Sequence, residues 1–79
     1  MEKKYIIAKF PEELEKASVS FWYVKEGDEI EIGQQLIEFV TEKTSFTYAS
    51  PFSCKITTLL VKEGEEVSAG QQIAEVEIK

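Results

Sequence analysis

Short runs of β-branched and aromatic residues alternate with polar, glycine-bearing breaks along the whole chain, which is the pattern of strands joined by turns. Tyr5-Ile-Ile-Ala8 suits a first strand. Phe10 to Ala17 interrupts the pattern. Pro11 suits the start of a helical turn with Glu12 and Glu13 near its positive end, yet only Leu14 would anchor it, so a loop or single turn is expected. Ser18 to Lys25 resumes as a strand, with Val19, Phe21 and Tyr23 on one face and Ser20, Trp22 and Val24 on the other. Both faces carry apolar residues, and Trp22 reads as core or half-core. After the turn at Glu26-Gly27-Asp28 comes a brief extended piece through Ile30 and Ile32, then a turn at Gly33. Gln35 to Val40 and Ser45 to Tyr48 flank the polar break Thr41-Glu42-Lys43-Thr44, which reads as a hairpin with Lys43 at its tip. Ser50-Pro51 ends that strand, because proline cannot donate to a ladder. Lys55 to Lys62 and Ile73 to Ile78 supply the last strands.

Composition narrows what such a fold can do. At 79 residues the chain is expected to form one domain, near the lower limit of a self-sufficient core. Its apolar fraction of 43% and charged fraction of 30% suit a folded soluble protein. No apolar run approaches the length of a membrane span, and Met1-Glu-Lys-Lys4 leads into too short an apolar stretch for a signal peptide, so no membrane and a cytoplasmic compartment are expected. Cys54 is the single cysteine and histidine is absent, which leaves neither an internal disulfide nor a usual zinc site. The net charge of −6 opposes a nucleic-acid partner, since phosphate binding needs clustered Lys and Arg. Without histidine or a paired acid and base, no catalytic residue or metal ligand set is assigned.

An internal repeat organises the strands. Val24-Lys-Glu-Gly-Asp-Glu-Ile-Glu-Ile-Gly-Gln-Gln-Leu-Ile-Glu-Phe39 aligns without gaps on Val61-Lys-Glu-Gly-Glu-Glu-Val-Ser-Ala-Gly-Gln-Gln-Ile-Ala-Glu-Val76. Each copy is too short to bury its apolar face alone, so two halves packed as one flattened barrel or sandwich are expected. The Lys43 tip follows the first copy. The matching place after the second copy is the end of the sequence.

With these motifs in place, the chain resembles the lipoyl domains of 2-oxo-acid dehydrogenase acyltransferases, within the biotinyl/lipoyl attachment family. The resemblance rests on Trp22 to Ile30, Gly33-Gln-Gln-Leu36, the turn around Lys43, Ser50-Pro51, Lys62 to Val67 and Gly70-Gln71. It implies an all-β flattened barrel of two short-stranded antiparallel sheets with a quasi-twofold repeat. It also implies that Lys43 carries lipoate in amide linkage, with biotin as the alternative cofactor. Lipoyl domains usually present Asp-Lys-Ala and biotinyl domains Met-Lys-Met, and Glu42-Lys43-Thr44 shares the acidic residue and lacks both methionines. Thr44 replaces the customary alanine, and Cys54 stands where a glycine is common, suggesting an altered turn beneath the tip.

The resemblance further implies a carrier rather than an enzyme. Its partners would be a lipoate ligase or transferase, a thiamine-diphosphate-dependent decarboxylase, an acyltransferase core and a flavin dihydrolipoamide dehydrogenase. The loop after the first strand, with Glu12, Glu13 and Glu15, is expected to help select the decarboxylase. Glu42 and Thr44 are expected to bear on recognition by the attaching enzyme. Two further readings are a biotin carrier of a carboxylase and an unmodified interaction domain of the same fold.

Overall fold

The computed structural model describes residues 2–11 and 13–79. Eight strands are present: β1 (Glu2–Ile7), β2 (Lys16–Trp22), β3 (Glu29–Ile30), β4 (Gln35–Val40), β5 (Ser45–Ala49), β6 (Cys54–Leu59), β7 (Glu66–Ser68) and β8 (Gln72–Ile78). They form two four-stranded sheets, ordered β1-β8-β6-β3 and β5-β4-β2-β7, with every pairing antiparallel. One apolar core lies between them, with Ile6, Ile30, Leu36, Ile37, Phe39, Ile56, Val67, Ile73 and Val76 fully buried. The expected flattened barrel of two sheets is the observed architecture.

The repeat is also the hydrogen-bonding plan. The Lys25 amide donates to the Asp28 carboxylate at 3.0 Å, and the Lys62 amide to the Glu65 carboxylate at 2.9 Å. The Gln34 and Gln71 side chains accept in the same way from the amides of Glu31 and Ser68, at 3.1 and 3.0 Å. Glu26 accepts from the Leu59 amide at 2.9 Å and Glu63 from the Trp22 amide at 3.1 Å, so each copy caps a strand of the other. The symmetry reaches further back than the visible repeat. Ala17 and Val19 are buried as Cys54 and Ile56 are, although no residue is identical between Ala17–Tyr23 and Cys54–Leu60.

Strand β2 corrects the expected face assignment. Its register shifts between Val19 and Phe21, and β6 shifts at the equivalent place, between Ile56 and Thr58. The bulge moves the alternation by one residue, so Val19, Trp22 and Val24 all point inward while Phe21 and Tyr23 are exposed. The two exposed rings stack edge to face, with centroids 5.1 Å apart. Trp22 is core, and its indole Nε1 donates to the Val61 carbonyl at 3.0 Å.

The turn glycines act through backbone conformation alone. Gly64 has φ of +93°, its amide donates to the Val19 carbonyl at 2.8 Å, and a Cβ there would meet nothing within 4 Å. Gly64→Ala is therefore expected to cost about 1 kcal/mol from the left-handed conformation without any clash, read as a lower urea midpoint at unchanged slope. An unchanged midpoint would remove the conformational reason for glycine there.

The two ends of the barrel differ. β8 starts beside the β1–β2 loop, where the Gly70 amide donates to the Ala8 carbonyl at 2.9 Å and the Ala69 amide to the Glu15 carbonyl at 2.8 Å. It finishes beside the start of β6, where the Lys79 amide donates to the Ser53 carbonyl at 3.3 Å and Lys79 Nζ reaches Glu29 of β3 at 2.6 Å. Cys54 belongs to this second end, fully buried and paired with Ile30 and Ile78. It is not beneath the Lys43 turn, contrary to the expectation from its place in the sequence. Burial pushes its thiol above the ordinary range, so it is packed as a small apolar residue.

Candidate functional site

Among the described residues, β4 and β5 are the one pair of strands that are both consecutive in sequence and neighbours in a sheet. The fold therefore has a single β-hairpin, and its connection is Thr41-Glu42-Lys43-Thr44. Strand pairing continues to Val40 and Ser45, and the Thr41 amide then donates to the Thr44 carbonyl at 2.8 Å. Glu42 and Lys43 are left outside the ladder as the two tip residues, both exposed. Lys43 belongs to none of the ion pairs found among the described residues, whereas Lys3, Lys4, Lys16 and Lys79 each face a carboxylate. Its ammonium projects from a backbone anchored on both sides by β-ladder.

The tip is flanked on two sides. On one side a shallow groove of about 340 Å³ is lined by Pro11, Glu13, Leu14 and Thr44, which brings the β1–β2 loop against the hairpin. A single turn shapes that loop, with the Leu14 amide donating to the Pro11 carbonyl at 3.2 Å. Phe10 fastens it: its ring packs edge to face on Phe39 at 5.0 Å and on Phe46 at 5.6 Å. On the other side a groove of about 430 Å³ runs between Lys16, Ser18, Val40, Thr41, Glu42 and Glu66.

Of the residues singled out in the sequence, the structure thus gathers Glu13, Glu42, Lys43 and Thr44 at one end. Glu15 is exposed and sits next to Lys16 at the start of β2, on the same end. Glu12 lies outside the described residues. Three neighbours escaped the sequence reading: Thr41, Lys16 and Glu66. Lys16 is brought in by the β2–β4 pairing, which sets Ser18 opposite Val40, and Glu66 by the β2–β7 pairing, which sets it opposite Ser18; both join residues far apart in the chain. Thr41 had a local signal, a threonine opening a two-residue turn, where its hydroxyl can bond the following amides.

An exposed lysine at the tip of a hairpin, held by strand pairing on both sides, suits covalent attachment of a group. Among the described residues no cluster of acidic or thiol side chains suits a metal ion. Comparison with known proteins agrees with that geometry. The family model for biotin-requiring enzymes, the biotin/lipoyl attachment domain, matches residues 8–77, and the chain belongs to this family. Its members are carrier domains that hold lipoate or biotin covalently on a lysine.

Among the solved structures that share the fold are two from different classes of protein. A single-chain, multi-domain long-chain acyl-CoA carboxylase superposes with a TM-score of 0.83 at 19% identity over 98% of this chain. The chain spans only 7% of that carboxylase's length. The lipoyl domain of the 2-oxoglutarate dehydrogenase complex from Azotobacter vinelandii superposes with a TM-score of 0.71 at 22% identity, covering 91% of this chain and 92% of that domain. A search of curated protein sequences gives no match.

Proposed function

We propose that this chain is a lipoyl carrier domain, with lipoate attached through an amide to Nζ of Lys43, serving the enzymes of a 2-oxo-acid dehydrogenase complex. The observation that carries the reading is the lysine at the tip of the fold's one hairpin. Amide formation removes the ammonium charge, and among the described residues Lys43 faces no carboxylate that would be left unpaired. The residues present therefore fit the group. When bound, lipoate supplies a dithiolane whose sulfurs carry acyl groups and electrons between enzymes. The chain itself contributes a fixed root for that arm, held in water and away from the core, and a surface for its partners to recognise.

Lipoate is favoured over biotin by the tip residues, Glu42 before the lysine and Thr44 after it, with no flanking methionine. Biotin attachment for a carboxylase is the second reading, favoured by the close superposition on the acyl-CoA carboxylase. The two separate cleanly by intact mass. The chain is incubated with a lipoate ligase and lipoate, and in parallel with a biotin ligase and biotin. A lipoyl increment alone is expected. A biotinyl increment alone would move the function to carboxylation, and no increment with either would leave an unmodified interaction domain.

Partner choice is assigned to the acidic loop beside the tip. Glu13 lines the groove against Thr44, and Glu15 is exposed on the same end, so both face whatever docks over Lys43. Reversing both charges, with Glu13→Lys and Glu15→Lys, is expected to slow reductive acylation of the lipoylated domain by about tenfold, chiefly through weaker encounter. Rates equal to the parent's across a range of salt would deny the loop that role.

A further inference from the structure

One side chain at the hairpin spends its whole hydrogen-bonding capacity on the tip. The Thr41 hydroxyl donates to the Thr44 carbonyl at 3.3 Å and accepts from the amides of Lys43 at 3.3 Å and Thr44 at 3.1 Å. A hydroxyl has one proton to give and two lone pairs to fill, so nothing remains for water or for another element. The three contacts all close on the two-residue loop. With the 2.8 Å bond from the Thr41 amide to the Thr44 carbonyl, they fix the peptide planes on both sides of Lys43.

The rest of the tip has little else to order it. Glu42, Lys43 and Thr44 are all exposed, while Thr41 is half-buried, one residue beyond the last ladder pair, Val40 with Ser45. Loss of its hydroxyl would loosen Glu42, Lys43 and Thr44, yet would leave the core and the ladder up to the Val40–Ser45 pair intact.

We infer that Thr41 is a positioning residue for modification of Lys43: its hydroxyl holds the tip in the conformation that the attaching enzyme binds. This rests on the proposed attachment of lipoate at Lys43. In that transfer the deprotonated Nζ attacks the carbonyl carbon of the activated acyl group; the amide bond forms, the acyl–phosphate bond of the adenylate breaks, AMP leaves with its electron pair, and nitrogen gives up a proton. Thr41 touches none of these atoms. Its effect falls on the fraction of chains whose tip is ready to bind, and a smaller ready fraction raises the apparent KM in proportion while leaving kcat as it was.

The test compares Thr41→Val, which keeps the shape and removes the hydroxyl, with Thr41→Ser, which keeps the hydroxyl. Lipoylation kinetics with a lipoate ligase are measured alongside backbone ¹⁵N order parameters of the unmodified chains. Thr41→Val is expected to raise KM about tenfold at unchanged kcat, and Thr41→Ser to recover most of it. Order parameters at Glu42, Lys43 and Thr44 are expected to fall from about 0.85 towards 0.6 in Thr41→Val only, with those of β4 and β5 unchanged. Parent-like KM in Thr41→Val overturns the inference, as does a fall in kcat alone. If the parent itself takes no lipoate, the proposed function fails and the order parameters decide Thr41: a loosened tip in the valine variant alone keeps its positioning role, and an unaltered tip removes it.

Discussion

Lys43→Arg is expected to lose covalent modification completely while keeping its melting temperature within about 3 °C of the parent. Arginine preserves the charge and length of the side chain, but its guanidinium stays protonated and does not form the amide. The fold should not register the change, because Lys43 is exposed and, among the described residues, joined to no carboxylate. The internal symmetry supplies a control within the molecule. Lys25 and Lys62 occupy equivalent glycine turns in the two halves, both exposed, and neither stands on a hairpin. An attaching enzyme that needs only an exposed turn lysine would modify them as well. Intact mass and peptide mapping after ligase treatment, paired with a thermal melt, therefore test the geometry as much as the residue. An increment that survives in Lys43→Arg would move the attachment to one of the other lysines and end the hairpin reading.

The largest loss of stability is expected from Phe39→Ala, at about 3–5 kcal/mol, enough to lower the melting temperature by more than about 10 °C. Phe39 is the bulkiest of the fully buried side chains. It sits on β4 four residues before Lys43, and its ring contacts Phe10 at 5.0 Å and Phe46 at 5.7 Å. Removing it opens a cavity and unseats both neighbours, so the cost combines lost transfer energy with lost packing. Against a typical total of about 5–15 kcal/mol for a small domain, that is a large share. The effect should also spread to the site, since Phe10 fastens the loop that lies against Thr44. In urea the variant is expected to unfold at a much lower midpoint, and the partly buried Phe10→Ala to lose about half as much. A loss below about 1 kcal/mol for Phe39→Ala would mean that the aromatic cluster does not hold this end together.

The strands, the turns and the twofold organisation were legible in the sequence because each has a local cause. β-Branched and aromatic runs between glycine turns mark strands, and the Val-Lys-Glu-Gly and Gly-Gln-Gln segments repeat because each copy makes the same hydrogen bonds. The hairpin around Lys43 was legible for the same reason: a short polar break between two strand-forming runs leaves few other folds for the chain. Leu14 as the only apolar anchor of a helical turn opening at Pro11 likewise pointed to a loop or single turn rather than a helix.

What the sequence could not disclose depends on partners distant in the chain. Simple alternation placed Val19, Phe21 and Tyr23 on one face, whereas the bulge before Phe21 reverses the phase and turns two aromatic rings outward. A bulge needs a partner strand to exist, and here the carboxylate of Glu63 accepts the Trp22 amide beside it, 41 residues away. Cys54 in place of a common glycine suggests an altered turn beneath the tip, but its pairing with Ile30 and Ile78 carries it to the other end. Lys16 reaches the tip only through the β2–β4 ladder, and Glu66 through the β2–β7 ladder beyond it. The sequence by itself determined the strand-and-turn architecture, its duplication and the lysine at the hairpin, since those follow from propensity and short-range geometry. The tertiary structure alone decided which faces are buried and which side chains surround that lysine, because burial and neighbourhood are properties of strand pairing across the two sheets.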